Sequence, residues 1–406
     1  MAGTSRSAGP SGGGSPLAFL VFALFAGHGF AAMALMVLPS VAPKAAADYG
    51  VDPSLIGYQI AIVSVGLIVS LLFFGNFNRR AGGCRTNQLG HSLVALGMLL
   101  VLIPSPLSLV AGSLAIGLGY GLIAPSATYL LMRFVPAGRH AFVISLQQVG
   151  VPLGGLLAAV IAPAIAVSAG WRWSCVLSAG LLLAVVALMQ LRRKHWDNDR
   201  DRTTHHLTST PLASLQMVWR DPPLRRLALA AAGFCWAQFC VLSYTVVACV
   251  ETFGLSLVSA GFVLMAVHLT SAVGRVAAGW LADRLRDAQR VLRGIAWVML
   301  GTSLASLGMA DGWPLWAIYG LFILHGFHSG AWSGAVLADI GRCAPAGQAG
   351  AAVNGTLVYL NLGKLVGPVL LALIYGATRN YGVALASMVI PATVALWCLR
   401  ARETGA

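Results

Sequence analysis

The chain has 406 residues, of which 58% are hydrophobic and only 9% charged. Soluble domains carry roughly 25% charged residues, so this composition excludes a water-facing surface of ordinary size. The net charge of +14 does not indicate nucleic-acid binding, because the basic residues sit in short loops between apolar runs and form no single patch.

In chain order, residues 1–15 are rich in Gly, Ser, Ala and Pro and are expected to form a disordered tail. Arg6 is their one basic residue and the next apolar run has full spanning length, so a cleaved signal peptide is not expected. A helix needs about 20 apolar residues to cross ~30 Å of hydrocarbon. Such runs predict spans near 17–39, 54–77, 87–104, 106–133, 142–168 and 174–192, then 226–249, 257–281, 291–310, 314–340, 349–376 and 380–400. The short alternating segments of a β-barrel are absent from the sequence. The expected fold is an all-α membrane protein of about twelve transmembrane helices in two pseudo-symmetric six-helix bundles, 16–192 and 226–401. A linker, 193–225, separates them, and 402–406 form a tail. The acidic–basic alternation of Lys194-His-Trp-Asp-Asn-Asp-Arg-Asp-Arg202 reads as a solvated cytoplasmic connection.

Lys and Arg fix the expected orientation. One set of loops holds Arg79, Arg80, Arg85, Arg133, Arg139, the linker cluster, Arg284, Arg286, Arg290, Arg293 and Arg342, whereas the alternate loops hold Lys44, Arg172 and Arg379. Both termini are therefore expected in the cytoplasm, with the chain in a bacterial inner membrane. The seven cysteines form no Cys-x-x-Cys pair and lie mostly within spans, as packing residues do.

The two halves echo each other in sequence. Gly75-Asn-Phe-Asn-Arg-Arg80-Ala-Gly-Gly-Cys-Arg85 follows the second span, and Gly279-Trp-Leu-Ala-Asp283-Arg284-Leu-Arg286 follows the eighth. The second segment resembles the loop signature of the major facilitator superfamily, Gly-x-Leu-Ala-Asp-Arg. The first copy departs from it, with Arg79 where the family has aspartate, and the second has Arg286 in place of the usual following glycine. Gly150-Val-Pro152-Leu-Gly154-Gly155, Gly170-Trp-Arg172-Trp and Gly363-Lys364-Leu-Val-Gly367-Pro368 also resemble segments of bacterial members. The resemblance implies two halves that rock about a substrate site near the midplane. It also implies a gate in which Gly279 permits close helix contact, Asp283 faces a helix N-terminus and Asp339 pairs with Arg284 or Arg286.

Charges inside spans are costly and mark function. Arg275 lies in the eighth span and Lys364 near the middle of the eleventh, and no acidic residue sits at comparable depth. Two such cations need an anion; Arg holds a carboxylate bidentately and Lys acts as a point charge. The pair resembles the eighth-span arginine and eleventh-span lysine of oxalate–formate exchangers, and Arg275 precedes Gly279 as an arginine precedes a glycine in monocarboxylate transporters. The competing reading is that Arg275 snorkels towards the gate and pairs with Asp283 or Asp339.

His28, His268, His325 and His328 also fall within spans, and His325 and His328 share one helix face. A metal site lacks accompanying carboxylates or cysteines, so the readings left open are substrate hydrogen bonding, proton exchange and helix–helix bonding. Tyr120, Gln147, Gln148, Gln238, Tyr244 and Asn361 are further midplane polar residues. The candidate substrate set is Arg275, Lys364, His28, Tyr120, Gln238, His325, His328 and Asn361.

The expected function is secondary transport of a small organic anion, a mono- or dicarboxylate, by alternating access. It would be monomeric in the lipid bilayer, with a coupling proton or counter-substrate, and would involve no catalysis, cofactor, metal or nucleic acid. The alternative is a proton-coupled multidrug or metabolite efflux pump, against which stands the lack of a membrane-embedded carboxylate in the first half.

Overall fold

In hydrocarbon the backbone has to satisfy its own N–H and C=O groups, which leaves a helix as the economical spanning element for an apolar segment. The computed structural model describes residues 14–201, 203, 212–345 and 348–400. Most of the expected N-terminal tail, 1–13, the expected tail 402–406 and much of the linker lie outside the described residues. Twelve long helical segments follow one another: α1 Gly14–Tyr49, α2 Ile56–Phe73, α3 Gly83–Leu100, α4 Pro106–Phe134, α5 His140–Ser168 and α6 Trp171–Gln190. After the connection come α7 Pro222–Phe253, α8 Leu257–Leu285, α9 Ala288–Ala305, α10 Leu315–Cys343, α11 Ala349–Thr378 and α12 Tyr381–Cys398, the last interrupted between Ala386 and Val389.

Ten of these are long and apolar enough to cross a membrane by length and composition. The other two, α3 and α10, are diluted by polar side chains that the fold buries. Asn87 Nδ2 of α3 donates to the Ile123 carbonyl at 3.0 Å and to Ser126 at 2.9 Å, and Gln88 Nε2 donates to the Val186 carbonyl at 2.9 Å. These bonds tie α3 to α4 and α6. In α10, His325, His328 and Ser329 are buried in the same way.

Helix ends differ from expectation where proline bends a helix without stopping it. Two prolines, Pro39 and Pro43, lie within α1, which continues to Tyr49 through a break at Val41 (φ −123°, ψ 16°). Asp221 caps α7 by accepting the Leu224 amide at 3.0 Å, so α7 begins at Pro222, ahead of the expected 226.

The linker is not wholly solvated. After a four-residue helix, Arg193–Trp196, the Trp196 side chain is buried against Phe19 of α1. Arg133 donates to the Trp196 carbonyl at 2.9 Å and pairs with Asp199 at 2.5 Å. Asp197 accepts the Cys84 and Arg85 amides at the N-terminus of α3. An aromatic residue amid charges thus anchors the connection to the first half.

The two halves meet along α2 with α11, α5 with α8 and α1 with α7. Their hydrogen bonds concentrate at the end where α1 passes into α2. The Tyr244 hydroxyl of α7 lies 2.8 Å from the Ser54 carbonyl and 2.9 Å from the Pro368 carbonyl, and Arg379 pairs with Asp52 at 2.7 Å. Gly57 packs so closely there that a Cβ would collide with Pro368 and Tyr244. Phe22, Val276, Trp297, Leu373 and Trp397 face outward, the side chains expected of a lipid-facing surface.

Candidate functional site

The most informative cluster joins α1, α4, α5 and α8. His28 is 2% exposed on α1. Gln147 Nε2 donates to His28 Nδ1, which leaves the His28 proton on Nε2, 3.5 Å from the Tyr120 hydroxyl. The His28 and Tyr120 rings meet edge to face with centroids 5.8 Å apart. The charge of Arg275 of α8 reaches both His28 and Tyr120. Its Nε is buried without a hydrogen-bond partner, and among the described residues Arg275 forms no ion pair. A buried guanidinium with a free donor can take an anion as its partner.

Two turns from Arg275 along α8, His268 packs its ring into the notch at Gly155 of α5, where a Cβ would overlap it. Its Nε2 is buried and has no hydrogen-bond partner among the described residues.

Lys364 of α11 occupies a second position. It is 2% exposed, and its Nζ lies 4.2 Å from the centroid of the Phe239 ring of α7, a cation–π arrangement. Asn361, one turn earlier, turns back to the Leu357 carbonyl at 2.7 Å. Gln238 is half-buried on α7. Lys364 thus lies against Phe239, whereas the charge of Arg275 reaches His28 and Tyr120.

His325 and His328 form a third group, apart from both. His325 Nδ1 and His328 Nε2 are 3.0 Å apart, and Ser306 Oγ lies 2.9 Å from His325 Nε2. The Ser306 bond ties α10 to the end of α9, whereas the His325–His328 bond lies within α10 and leaves His328 Nδ1 buried without a hydrogen-bond partner among the described residues.

Of the expected gate residues, Asp339 accepts a hydrogen bond from Gln289 at 3.2 Å, and Arg284 stacks over Trp280 at 5.2 Å. Among the described residues, neither Arg284 nor Arg286 pairs with Asp339, Asp283 or any other acid. Gly279 has open space where a Cβ would stand, so the close helix contact expected of it is not made. The physical reason is the asymmetry of closure: the joining hydrogen bonds lie at the Tyr244 end, and the Gly279 end is relaxed.

A model of the Major Facilitator Superfamily matches residues 24–368. The chain belongs to that superfamily. It is a multi-pass membrane protein of a transporter family, with two relatives named for aromatic acids. It is 22% identical over 369 residues to the gentisate transporter of Corynebacterium glutamicum, covering 86% of this chain and 80% of the relative. It is 24% identical to the gallate transporter of Pseudomonas putida, covering 72% and 70%. Among solved structures, a bacterial homologue of the human lysosomal transporter Spinster, inward-facing and occupied, superposes with a TM-score of 0.73 at 13% identity, covering 94% of this chain and 96% of that one.

Residue types alone did not bring out several residues in and around these clusters. Gln147 was one polar candidate among many, and its bond to His28 decides its place. Phe239 gives no polar signal. Outside this cluster, on the far side of Gly27, His91 sits in the most polar of the long helices and is masked by its neighbours.

Proposed function

We propose that the chain moves a small organic anion, a mono- or dicarboxylate, across a bacterial inner membrane by alternating access, with both termini in the cytoplasm. The observation that carries this reading is the buried, partnerless Nε of Arg275, whose charge reaches the His28–Tyr120–Gln147 cluster. A carboxylate would accept from the guanidinium and neutralise a charge that is costly to hold in the membrane interior. Lys364 supplies a second cation, next to the Phe239 ring. Gentisate and gallate are both hydroxylated benzoates, and the names of the two relatives make this class the first to test.

In this reading the halves 16–192 and 226–401 rock against each other. Tyr244, Ser54 and Gly57 seal one side, and the Gly279, Asp283, Arg284 and Asp339 segment closes the other in the alternate state. The test is uptake of labelled gentisate and gallate into proteoliposomes containing wild type, Arg275→Ala or Lys364→Ala. Loss of saturable uptake in Arg275→Ala supports the reading. Normal transport in both variants overturns it, and extrusion of lipophilic cations unaffected by carboxylates would favour drug efflux instead.

A further inference from the structure

His91 is 1% exposed on the inner side of α3. Its Nδ1 lies 2.8 Å from the Asn87 carbonyl oxygen. A carbonyl only accepts, so Nδ1 carries the proton, and in the neutral ring Nε2 is a bare lone pair. That Nε2 is buried and has no hydrogen-bond partner. It points at α1: a Cβ on Gly27 would stand 2.6 Å from it. Only a glycine at position 27 leaves room for this nitrogen against α1. Gly27 directly precedes His28, the ring that Gln147 and Tyr120 hold and that the charge of Arg275 reaches.

The geometry points to His91 Nε2 as the site that takes up a proton coupled to anion movement. This rests on the anion-transport reading above and deepens it by assigning the coupled ion and its place. A buried basic nitrogen with no donor on it has room for one proton and for little else. Adding that proton sets a positive charge against the α1 backbone at Gly27, and so acts on α1 beside His28. The titratable neighbour facing His91 is His28, from α1. One turn before His91, Asn87 meets Ile123 and Ser126 of α4, and Val185 of α6 lies beside Gly27; none carries charge. Arg85 and the linker's Asp197 meet at the start of α3, roughly 9 Å along the axis.

Two measurements on the full chain in lipid test the assignment. Nitrogen-15 spectra of histidine-labelled protein should contain an unprotonated Nε2 signal that disappears in His91→Asn and moves to the protonated position when the buffer is acidified. Asparagine keeps a donor for the Asn87 carbonyl and lacks the basic nitrogen; His91→Gln gives a second assignment if the first variant unfolds. A His91 Nε2 that is protonated throughout, or that never protonates, overturns the proposal. In proteoliposomes, His91→Asn should keep gentisate or gallate counterflow but lose accumulation driven by a pH gradient. Retained gradient-driven accumulation also overturns it. If wild type moves neither acid, the anion reading falls, and the spectra alone decide the proton site.

Discussion

Asp197 holds the amide of Cys84 at 2.8 Å across 113 positions of sequence, and its second oxygen takes the Arg85 amide at 3.1 Å. This aspartate comes from the connection between halves and caps the helix that follows the first loop motif, where Arg79 stands in place of the expected acid. The cap satisfies two of the orphan donors at the start of α3 and sets a negative charge on the positive end of its dipole.

Asp197→Ala should lower stability by about 1 kcal/mol, the usual worth of a helix cap, read as a fall in the midpoint of thermal unfolding in detergent. The pH dependence follows from burial, which outweighs the two amide bonds and the nearby Arg193 and holds the Asp197 carboxyl above the ordinary carboxylate range. The folded state then binds a proton more tightly than the unfolded state. Stability from this group is present below the unfolded value and is lost as pH rises through the folded one. Asp197→Asn should remove that slope just above the ordinary aspartate range.

Tyr244→Phe should loosen the closed end. It leaves the Ser54 and Pro368 carbonyls without their shared donor, at a cost of about 1 kcal/mol to the sealed state. Spin labels at Val51→Cys and Ala377→Cys, both exposed at that end, should report a larger share of long distances in the variant. An unchanged distance distribution would show that the seal does not depend on this hydroxyl.

At the anion-facing cluster, Gln147→Ala and Tyr120→Phe should differ. Gln147 makes a direct bond to His28, whereas the Tyr120 hydroxyl stands at 3.5 Å, where a hydrogen bond is weak. Gln147→Ala is expected to raise the apparent KM for the transported anion about fivefold to tenfold, equivalent to about 1 kcal/mol. Tyr120→Phe should change it by less than about twofold. Concentration-dependent initial rates separate the two.

Arg286 ends α8 with φ 52°, a left-handed conformation that a β-carbon disfavours by about 1 kcal/mol. The expected glycine of the loop signature is the residue this position suits. Arg286→Gly should therefore raise the unfolding midpoint in detergent by about 1–2 °C.

The membrane helices were legible because apolar runs of spanning length have few alternatives in lipid. Their ends were less so, since Pro39 and Pro43 bend α1 at a position where proline in a soluble helix would stop it. Arg275 and Lys364 stood out as charges among apolar residues. Their partners did not, because His28 and Gln147 meet only when α1 and α5 pack, 119 positions apart. The docking of Trp196 was hidden for a related reason: one buried ring among charges leaves the pattern of a solvated linker intact.

The empty space beside Gly279 has a practical consequence. A larger residue there costs this state nothing in packing, whereas at Gly57 it would meet Pro368 and Tyr244 at once. Gly57→Val should therefore unsettle the sealed form by about 1–3 kcal/mol through overpacking, visible in thermal unfolding. Gly279→Val should pass that assay unchanged and fail in transport, because its obstruction acts only when the opposite end shuts. A screen by heat and a screen by flux would thus rank the same two glycines in reverse order.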